Sequence, residues 1–156
     1  MRVVLDINVL VRAYLTPGGE GWAILNQAEE SYTLILSDFI FWKLEAVLHY
    51  DHIQRRFPHL TDEIIQDHLA ALEEAGELIA ERTVITQDSG GSSDPEDNRI
   101  LAAAIDGGAD YLVTLNINDF PHPFQGIAII EPGDFLNLIR DKSEQQNSDE
   151  GDAPNG

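Results

Sequence analysis

The stretch VVLDINVLV at residues 3–11 decides the fold, because it is apolar except for two polar side chains, Asp6 and Asn8. Residues 2–6 are rich in apolar, β-branched side chains and end at a polar residue, which predicts a short buried strand. Residues 8–15 continue with helical spacing until the sequence TPGG breaks the pattern. Burial of an unpaired carboxylate is costly, so an acid at the end of such a strand indicates a partner cation, a metal or a catalytic role.

The same alternation of short apolar strands and helices continues along the chain. Strands are predicted at residues 2–6, 32–37, 78–85, 110–115 and 127–130, and helices at residues 8–15, 20–31, 38–50, 61–77, 98–109 and 131–140. This order predicts βαβ units and therefore an α/β protein, with three α/β/α layers around a central, mainly parallel sheet of about five strands. In such sheets ligands bind beyond the carboxyl ends of the strands, which is where Asp6 lies.

Composition limits the function. The 28 acidic and 9 basic residues give a net charge of −19, which argues against tight nonspecific binding to nucleic acid and suits a metal cation or a basic protein partner. The absence of cysteine excludes disulfides, thiolate metal sites and a cysteine nucleophile. Neither a signal peptide nor an apolar run of about 18–20 residues is apparent, so we expect a cytoplasmic protein that does not engage a membrane.

The chain is expected to form one domain at residues 1–140, followed by a disordered acidic tail at residues 141–156. A total length of 156 residues fits a single domain of ordinary size. The last stretch, DKSEQQNSDEGDAPNG, has almost no apolar residues and cannot bury enough surface to offset the entropy lost on ordering.

Three further groups of polar residues fall near predicted strand ends. Glu45 lies in the helix after the second strand, Asp94 and Asp97 begin the small-residue helix, and Asn116 and Asp119 follow the strand at 110–115. If these groups meet in one cleft, their like charges need a cation, and hard oxygen ligands select Mg²⁺ or Mn²⁺. A metal of this kind activates water and neutralises charge on a phosphoryl group.

Each of these residues also has a structural interpretation. Asp6 is suited to capping the helix that follows it, and Asp94 and Asp97 are typical of the first turn of a helix. Glu45 fits a solvated helix position, and residues 116–119 fit a turn. Among the few basic residues, Arg12 is expected near the mouth of the cleft, and Arg99 is the best placed to face a phosphate or a carboxylate.

Taken together, these segments resemble PIN-domain nucleases, especially the PIN-family toxin components of bacterial toxin–antitoxin systems, over about residues 1–140. VVLDINVLV is similar to the family's opening strand, LSDFIFWKLEAVL to its glutamate-bearing helix, and DPEDNRILAAAIDGGADYLVTLNINDF to the segment with its last acidic positions. The resemblance assigns metal-binding and catalytic roles to Asp6, Glu45, Asp97, Asn116 and Asp119. It implies a PIN-like nuclease domain that cleaves single-stranded RNA with Mg²⁺ or Mn²⁺, a cognate antitoxin as partner, and a possible homodimer.

Two departures from the family pattern support an alternative function. Ile7 stands where a small hydroxylic residue is common, and Asn116 stands where the family often has an aspartate. Both favour a non-catalytic PIN-like module that binds protein or RNA and has a weakened metal site. A third hypothesis, aspartyl phosphotransfer, is disfavoured because DINV lacks a second aspartate and no lysine directly follows the last two strands.

Overall fold

The computed structural model describes residues 1–151, with side chains described for residues 1–148. Its strands are Arg2–Leu5 (β1), Thr33–Leu36 (β2), Gly76–Leu78 (β3), Tyr111–Val113 (β4) and Ala128–Ile130 (β5). Its α-helices are Ile7–Leu15 (α1), Glu20–Asn26 (α2), Asp38–Leu48 (α3), Asp51–Arg56 (α4), Asp62–Ala75 (α5), Pro95–Asp106 (α6) and Pro132–Gly151 (α7). Single 3₁₀ turns occupy Gln87–Ser89 and Ile117–Asp119.

The five strands form one sheet in the order β3-β2-β1-β4-β5, and every neighbouring pair is parallel. The first strand of the chain is therefore the central one. Val3 and Val4 point to opposite faces of the sheet, yet both are fully buried. Helices must then cover both faces, and the predicted three-layer α/β architecture is confirmed.

The helices pack against the sheet and against one another. Helix α6 contacts β1 and β2, and Gly107, just after this helix, allows the approach because a Cβ there would lie 2.6 Å from Ile35. Helix α7 contacts α2. Its Phe135 is fully buried and meets the ring of Tyr32 edge-on at 5.3 Å between ring centres. Burial of these large apolar groups anchors the first part of α7 to the domain.

The third strand differs from its predicted range of residues 78–85. β3 begins at Gly76, where a Cβ would collide with the Leu36 side chain, so the glycine allows close approach to β2. Beyond this short strand the chain is held by hydrogen bonds to side chains instead of hydrogen bonds between strands. Glu81 accepts a hydrogen bond from the backbone of Phe39, and Asp106 accepts bonds from the backbone of residues 82 and 83.

The end of the chain also differs from its predicted range. The terminal helix was expected to end at Arg140, but α7 continues to Gly151, and the side chains of residues 141–148 are exposed. This extension has almost no apolar side chain to pack on the core. The predicted domain boundary and the predicted disorder of residues 141–156 stay predictions, and residues 152–156 lie outside the described chain.

Candidate active site

A cleft of about 640 Å³ lies beyond the carboxyl ends of β1 and β4. Its acidic side is formed by residues that follow these strands or begin helix α6: Asp6, Asp94, Asp97, Asn116 and Asp119. Parallel strands bring their carboxyl ends to one edge of the sheet, so residues far apart in sequence meet there. Four of the five predicted site residues are thereby brought to one cleft, since Glu45 alone is missing from its lining.

Asp6 is the most enclosed of the acids, with 7% of its surface exposed. Its Oδ1 accepts a hydrogen bond from the backbone N–H of Ile7 at 2.8 Å, which makes it the N-cap of α1. Its Oδ2 accepts a bond from the hydroxyl of Thr114 at 2.7 Å. Burial raises the pKa of Asp6, the two hydrogen bonds oppose that rise, and the nearby charges of Asp119 and Asp94 add to it. The carboxylate is therefore held in one orientation while like charges face it.

Asp97 lies in the first turn of α6 and is half-buried. Burial raises the pKa of this carboxyl group from its ordinary value of 3.8 to about 6, with further contributions from the charges of Asp94, Asp6 and Asp119. A hydrogen bond with Ser92 opposes the rise. The four carboxylates therefore act on one another electrostatically, as expected for acids that share one cleft.

Asp94 and Asn116 combine local structure with a place in the cleft. The Asp94 side chain accepts a hydrogen bond from the backbone N–H of Glu96 at 2.9 Å and so caps α6, in accord with its structural interpretation. Asn116 is exposed in the cleft, and its backbone N–H donates to the Thr114 hydroxyl at 3.1 Å. Asp119 ends the 3₁₀ turn that follows and is exposed in the same cleft.

Glu45 does not line this cleft, so the structure does not bring this predicted ligand to the other four. Its exposed side chain accepts a hydrogen bond from the amide of Gln66 on α5 at 3.0 Å. The reason is the register of α3, which buries Leu44 and Leu48 in the core. The α3 residues that face the cleft, Phe39, Lys43 and Val47, are spaced four apart. Residue 45 therefore lies on a different side of the helix.

Lys43 is the residue that α3 presents to the cleft in place of an acid, together with Phe39 and Val47. Its ammonium group lies 3.0 Å from Glu96 and donates to the Tyr50 hydroxyl at 3.2 Å. The hydrogen bonds to Tyr50 and then to Glu96 raise the pKa of Lys43, so the side chain is protonated at neutral pH. A fixed positive charge therefore faces the acidic side.

The two predicted arginines have different outcomes. Arg12 lines the cleft, as expected from its position in α1. Arg99 is absent from the lining, because its guanidinium pairs with Glu81 at 2.6 Å and lies 4.7 Å from the centre of the Phe39 ring. This arginine therefore secures the segment after β3 to the protein instead of facing a ligand.

Two residues that matter to the cleft were not predicted from the sequence: Lys43 and Thr114. The i, i+4 spacing of Phe39, Lys43 and Val47 was a usable signal for the first. Arg56 belongs to the only paired-arginine stretch of the sequence, which suits a contact with RNA or an acidic partner as well as a solvated helix end, and it lies in α4, beyond the helix predicted at residues 38–50. Thr114 is fully buried at the end of β4, and its contact with Asp6 across 108 residues follows from strand order, which has no local signal.

The acidic side of the cleft has the donor chemistry of a hard divalent cation. Carboxylate and amide oxygens are the ligands that Mg²⁺ and Mn²⁺ take, and a cation would relieve the repulsion that contributes to the raised pKa of Asp97. Within the described part of the chain, no three acidic or histidine side chains are grouped closely enough to form a ready metal cage. The residue types thus fit the metal, and the individual ligand roles stay predictions.

Comparison with known proteins identifies the family. The family model of the PIN domain matches residues 2–118, which is most of the chain, and the protein therefore belongs to the PIN-domain family. No curated protein sequence matches it significantly. The helices at residues 1–151 include none that is both long and apolar enough to cross a membrane.

Two solved structures resemble the fold. One is a chain of VapBC2 from Rickettsia felis bound to a DNA fragment from their promoter, with a TM-score of 0.59, 18% identity, and coverage of 84% of this chain and 98% of that chain. The other is a chain of FitAcB from Neisseria gonorrhoeae, with a TM-score of 0.48, 18% identity, and coverage of 83% of this chain and 97% of that chain. The first similarity supports the fold, which agrees with the five-stranded parallel sheet.

Proposed function

We propose that the protein is a divalent-metal-dependent endoribonuclease that cleaves single-stranded RNA. The observation that supports this most directly is that Asp6, Asp94, Asp97 and Asp119 line one cleft, where burial and the neighbouring charges raise the pKa of Asp97. Surplus negative charge at the carboxyl edge of a parallel sheet suits a site where a cation and a phosphodiester bind together. Membership of the PIN-domain family supports the same chemistry.

In this proposal Asp6 and Asp97 hold Mg²⁺ or Mn²⁺, and Asp119 and Asn116 complete the ligand set. Such a cation supplies an activated water and neutralises charge on the phosphate. The chain's own part is to orient the donors. The Ile7 N–H and the Thr114 hydroxyl hold the two oxygens of Asp6 in place, so little reorganisation is needed on binding.

Cleavage of a labelled single-stranded RNA in millimolar Mn²⁺ or Mg²⁺, with EDTA as the blank, tests the activity. We expect metal-dependent cleavage that falls by at least about 100-fold in Asp6→Asn and Asp97→Asn, since an altered ligand costs metal affinity or rate. Asp67→Asn on the exposed face of α5 is the matched control, because it removes the same charge outside the cleft. Equal activity in Asp6→Asn and the wild type would refute the proposed site.

Thermal unfolding provides a readout that does not need turnover. A metal that binds the folded state raises its melting temperature, so Mn²⁺ should stabilise the wild type and the Asp67→Asn control but not Asp6→Asn. If Mn²⁺ also stabilises Asp6→Asn to the same extent, the cation binds elsewhere.

A second function is favoured by one observation, the positive charge of Lys43 on a wall where an acid was expected. With the amide of Asn116, it leaves the cleft fewer carboxylates and supports a non-catalytic PIN-like module that binds protein or RNA. The two functions are separated by turnover. Metal-dependent cleavage that is lost in Asp6→Asn excludes the non-catalytic module. If the wild type does not cleave RNA, the non-catalytic module is favoured.

The resemblance to PIN-family toxins supports a further part of the proposal, that the protein is the toxin of a toxin–antitoxin pair. A basic antitoxin segment would meet the acidic side of the cleft favourably. Expression of the wild type in bacteria should arrest growth, and expression of Asp97→Asn to the same level should not. A homodimer, also suggested by the resemblance, can be checked by light scattering.

A further inference from the structure

The cleft has a positively charged wall that the proposed metal site does not use. Of the chain's nine basic residues, Arg12, Lys43 and Arg56 line the cleft. They come from three helices, α1, α3 and α4, and so converge by folding instead of by sequence proximity. Five carboxylates line the same cleft and Glu96 pairs with Lys43, so the unpaired positive charge there comes from Arg12 and Arg56.

The two arginines of this wall are free to bind a ligand. Both are exposed, and within the described residues neither has a carboxylate at ion-pairing distance, in contrast to Arg2 and Arg99, which pair with glutamates. The Arg56 guanidinium lies 5.6 Å from the centre of the Phe57 ring, which also lines the cleft. A guanidinium beside an aromatic ring is a feature of surfaces that hold single-stranded nucleic acid, where bases stack and cations follow the backbone.

Apolar side chains also line the cleft. Val11 and Leu15 of α1 and Ile53 of α4 line it, so a ligand crosses hydrophobic surface between charged groups. Asp6 caps the helix whose last turn contains Arg12, which separates the two by about 9 Å along the axis of α1. A chain with regularly repeated anionic groups and flat apolar bases matches this arrangement. An acidic peptide matches it less well, because a run of carboxylate side chains lacks the flat bases that can lie on the apolar lining.

We propose that Arg12, Lys43 and Arg56 are substrate-positioning residues that hold backbone phosphates of single-stranded RNA in the cleft that Asp6 and Asp97 also line. The inference rests on the proposed ribonuclease function and adds to it the residues that orient the strand. Lys43 is shared in this scheme: Glu96 holds its ammonium group in the free protein, and an incoming phosphate competes for it.

The sequence offers a matched pair of variants for a test. Arg55 and Arg56 are consecutive, both exposed and both in the last turn of α4, but Arg55 is outside the cleft and its side chain donates to the backbone of Asp51. Arg55→Gln and Arg56→Gln therefore change net charge identically and differ in position. Arg82→Gln, at an exposed arginine away from the cleft, serves in the same way as the control for Arg12→Gln.

Binding is measured by fluorescence anisotropy with a short unstructured single-stranded RNA and millimolar Mg²⁺, in an Asp97→Asn background that suppresses cleavage. We expect Arg56→Gln to weaken binding about fivefold, the effect of removing one exposed charge, and Arg55→Gln to leave it unchanged. The slope of log affinity against log salt should fall by about 0.7 for each phosphate that the variant no longer neutralises. Arg56→Lys keeps the charge and should restore most of the affinity.

Glu96→Gln supplies a test with the opposite sign. Removing this carboxylate frees Lys43, so in the same Asp97→Asn background RNA should bind more tightly than when Glu96 is present, even though the folded protein loses an ion pair. A variant that had simply damaged the fold would bind more weakly, and thermal unfolding of each variant separates the two effects.

The inference is overturned if Arg55→Gln and Arg56→Gln weaken binding equally, because net charge and not position would then control affinity. It is also overturned if the cleft ignores RNA and binds a polyglutamate peptide through Arg56, which would identify an acidic protein segment as the ligand. The proposed ribonuclease function can fail while this inference holds. RNA binding that depends on Arg56, without metal-dependent cleavage by the wild type, would support the positioning role of the basic residues and refute the ribonuclease function.

Discussion

Asp97→Asn should make the protein more stable at neutral pH, although it removes a residue of the candidate active site. The carboxyl group has a pKa of about 6 in the folded protein against an ordinary value of 3.8, so the folded state binds the proton more tightly than the unfolded chain. Ionisation therefore costs folding free energy, and the stability present at low pH is lost as the pH rises from about 4 through 6. An asparagine of similar shape cannot ionise and avoids that loss.

The magnitude follows from the two pKa values. Their difference corresponds to at most about 3 kcal/mol of unfolding free energy at pH 7. The side chain is only half-buried and solvent screens it, which lowers the expected gain to about 1 kcal/mol. For a protein of this length that is a rise of about 2–4 °C in melting temperature.

Urea unfolding at a series of pH values from 4 to 8, in EDTA, measures this effect. The difference between Asp97→Asn and the wild type should be small near pH 4 and reach its full value above pH 6. Asp67→Asn is again the control, as it removes one exposed charge on α5. A gain no larger than that of the control, or one that does not change with pH, would refute the electrostatic account of the cleft.

Three further perturbations test the framework around the cleft. Thr114→Val removes the hydroxyl that bonds Asp6 and so should lower the unfolding free energy by about 1–3 kcal/mol in urea titrations, with Thr114→Ser close to the wild type. Gly76→Ala places a methyl group against the Leu36 side chain and should cost about 1–3 kcal/mol by the same measurement, and less when it is introduced into a Leu36→Ala background. Deletion of residues 143–156 should change the unfolding free energy by less than about 0.5 kcal/mol, because the described side chains there are exposed, and a larger loss would show that the tail is structural.

The sequence was sufficient to predict the fold class and most of the acidic side of the cleft. Alternation of apolar strands with helices determines a parallel sheet, and the position of a polar residue just after a strand determines which edge it occupies, as for Asp6 and Asn116. Both rules operate over a few residues. Asp97 follows similarly, because a proline-containing helix start determines where α6 begins.

The remaining features depend on tertiary interactions that local pattern does not specify. Glu45 and Lys43 are two residues apart on one helix, and only the packing of α3 in the core decides which of them faces the cleft. The range of β3 depends on close approach at Gly76, and the chain after it is held by Glu81 and Asp106 from other parts of the fold. Such interactions override the apolar pattern that predicted a longer strand.

The central position of β1 has a consequence for synthesis of the protein. β1 is translated before its neighbour β4, and the hydroxyl that holds Asp6 follows 108 residues later. A growing chain therefore contains Asp6 but cannot assemble the cleft until Thr114 and the residues after it have been translated. Pairings this distant form late in folding. If the protein is a ribonuclease, its topology keeps the nascent chain inactive beside the RNA and the ribosome that produce it.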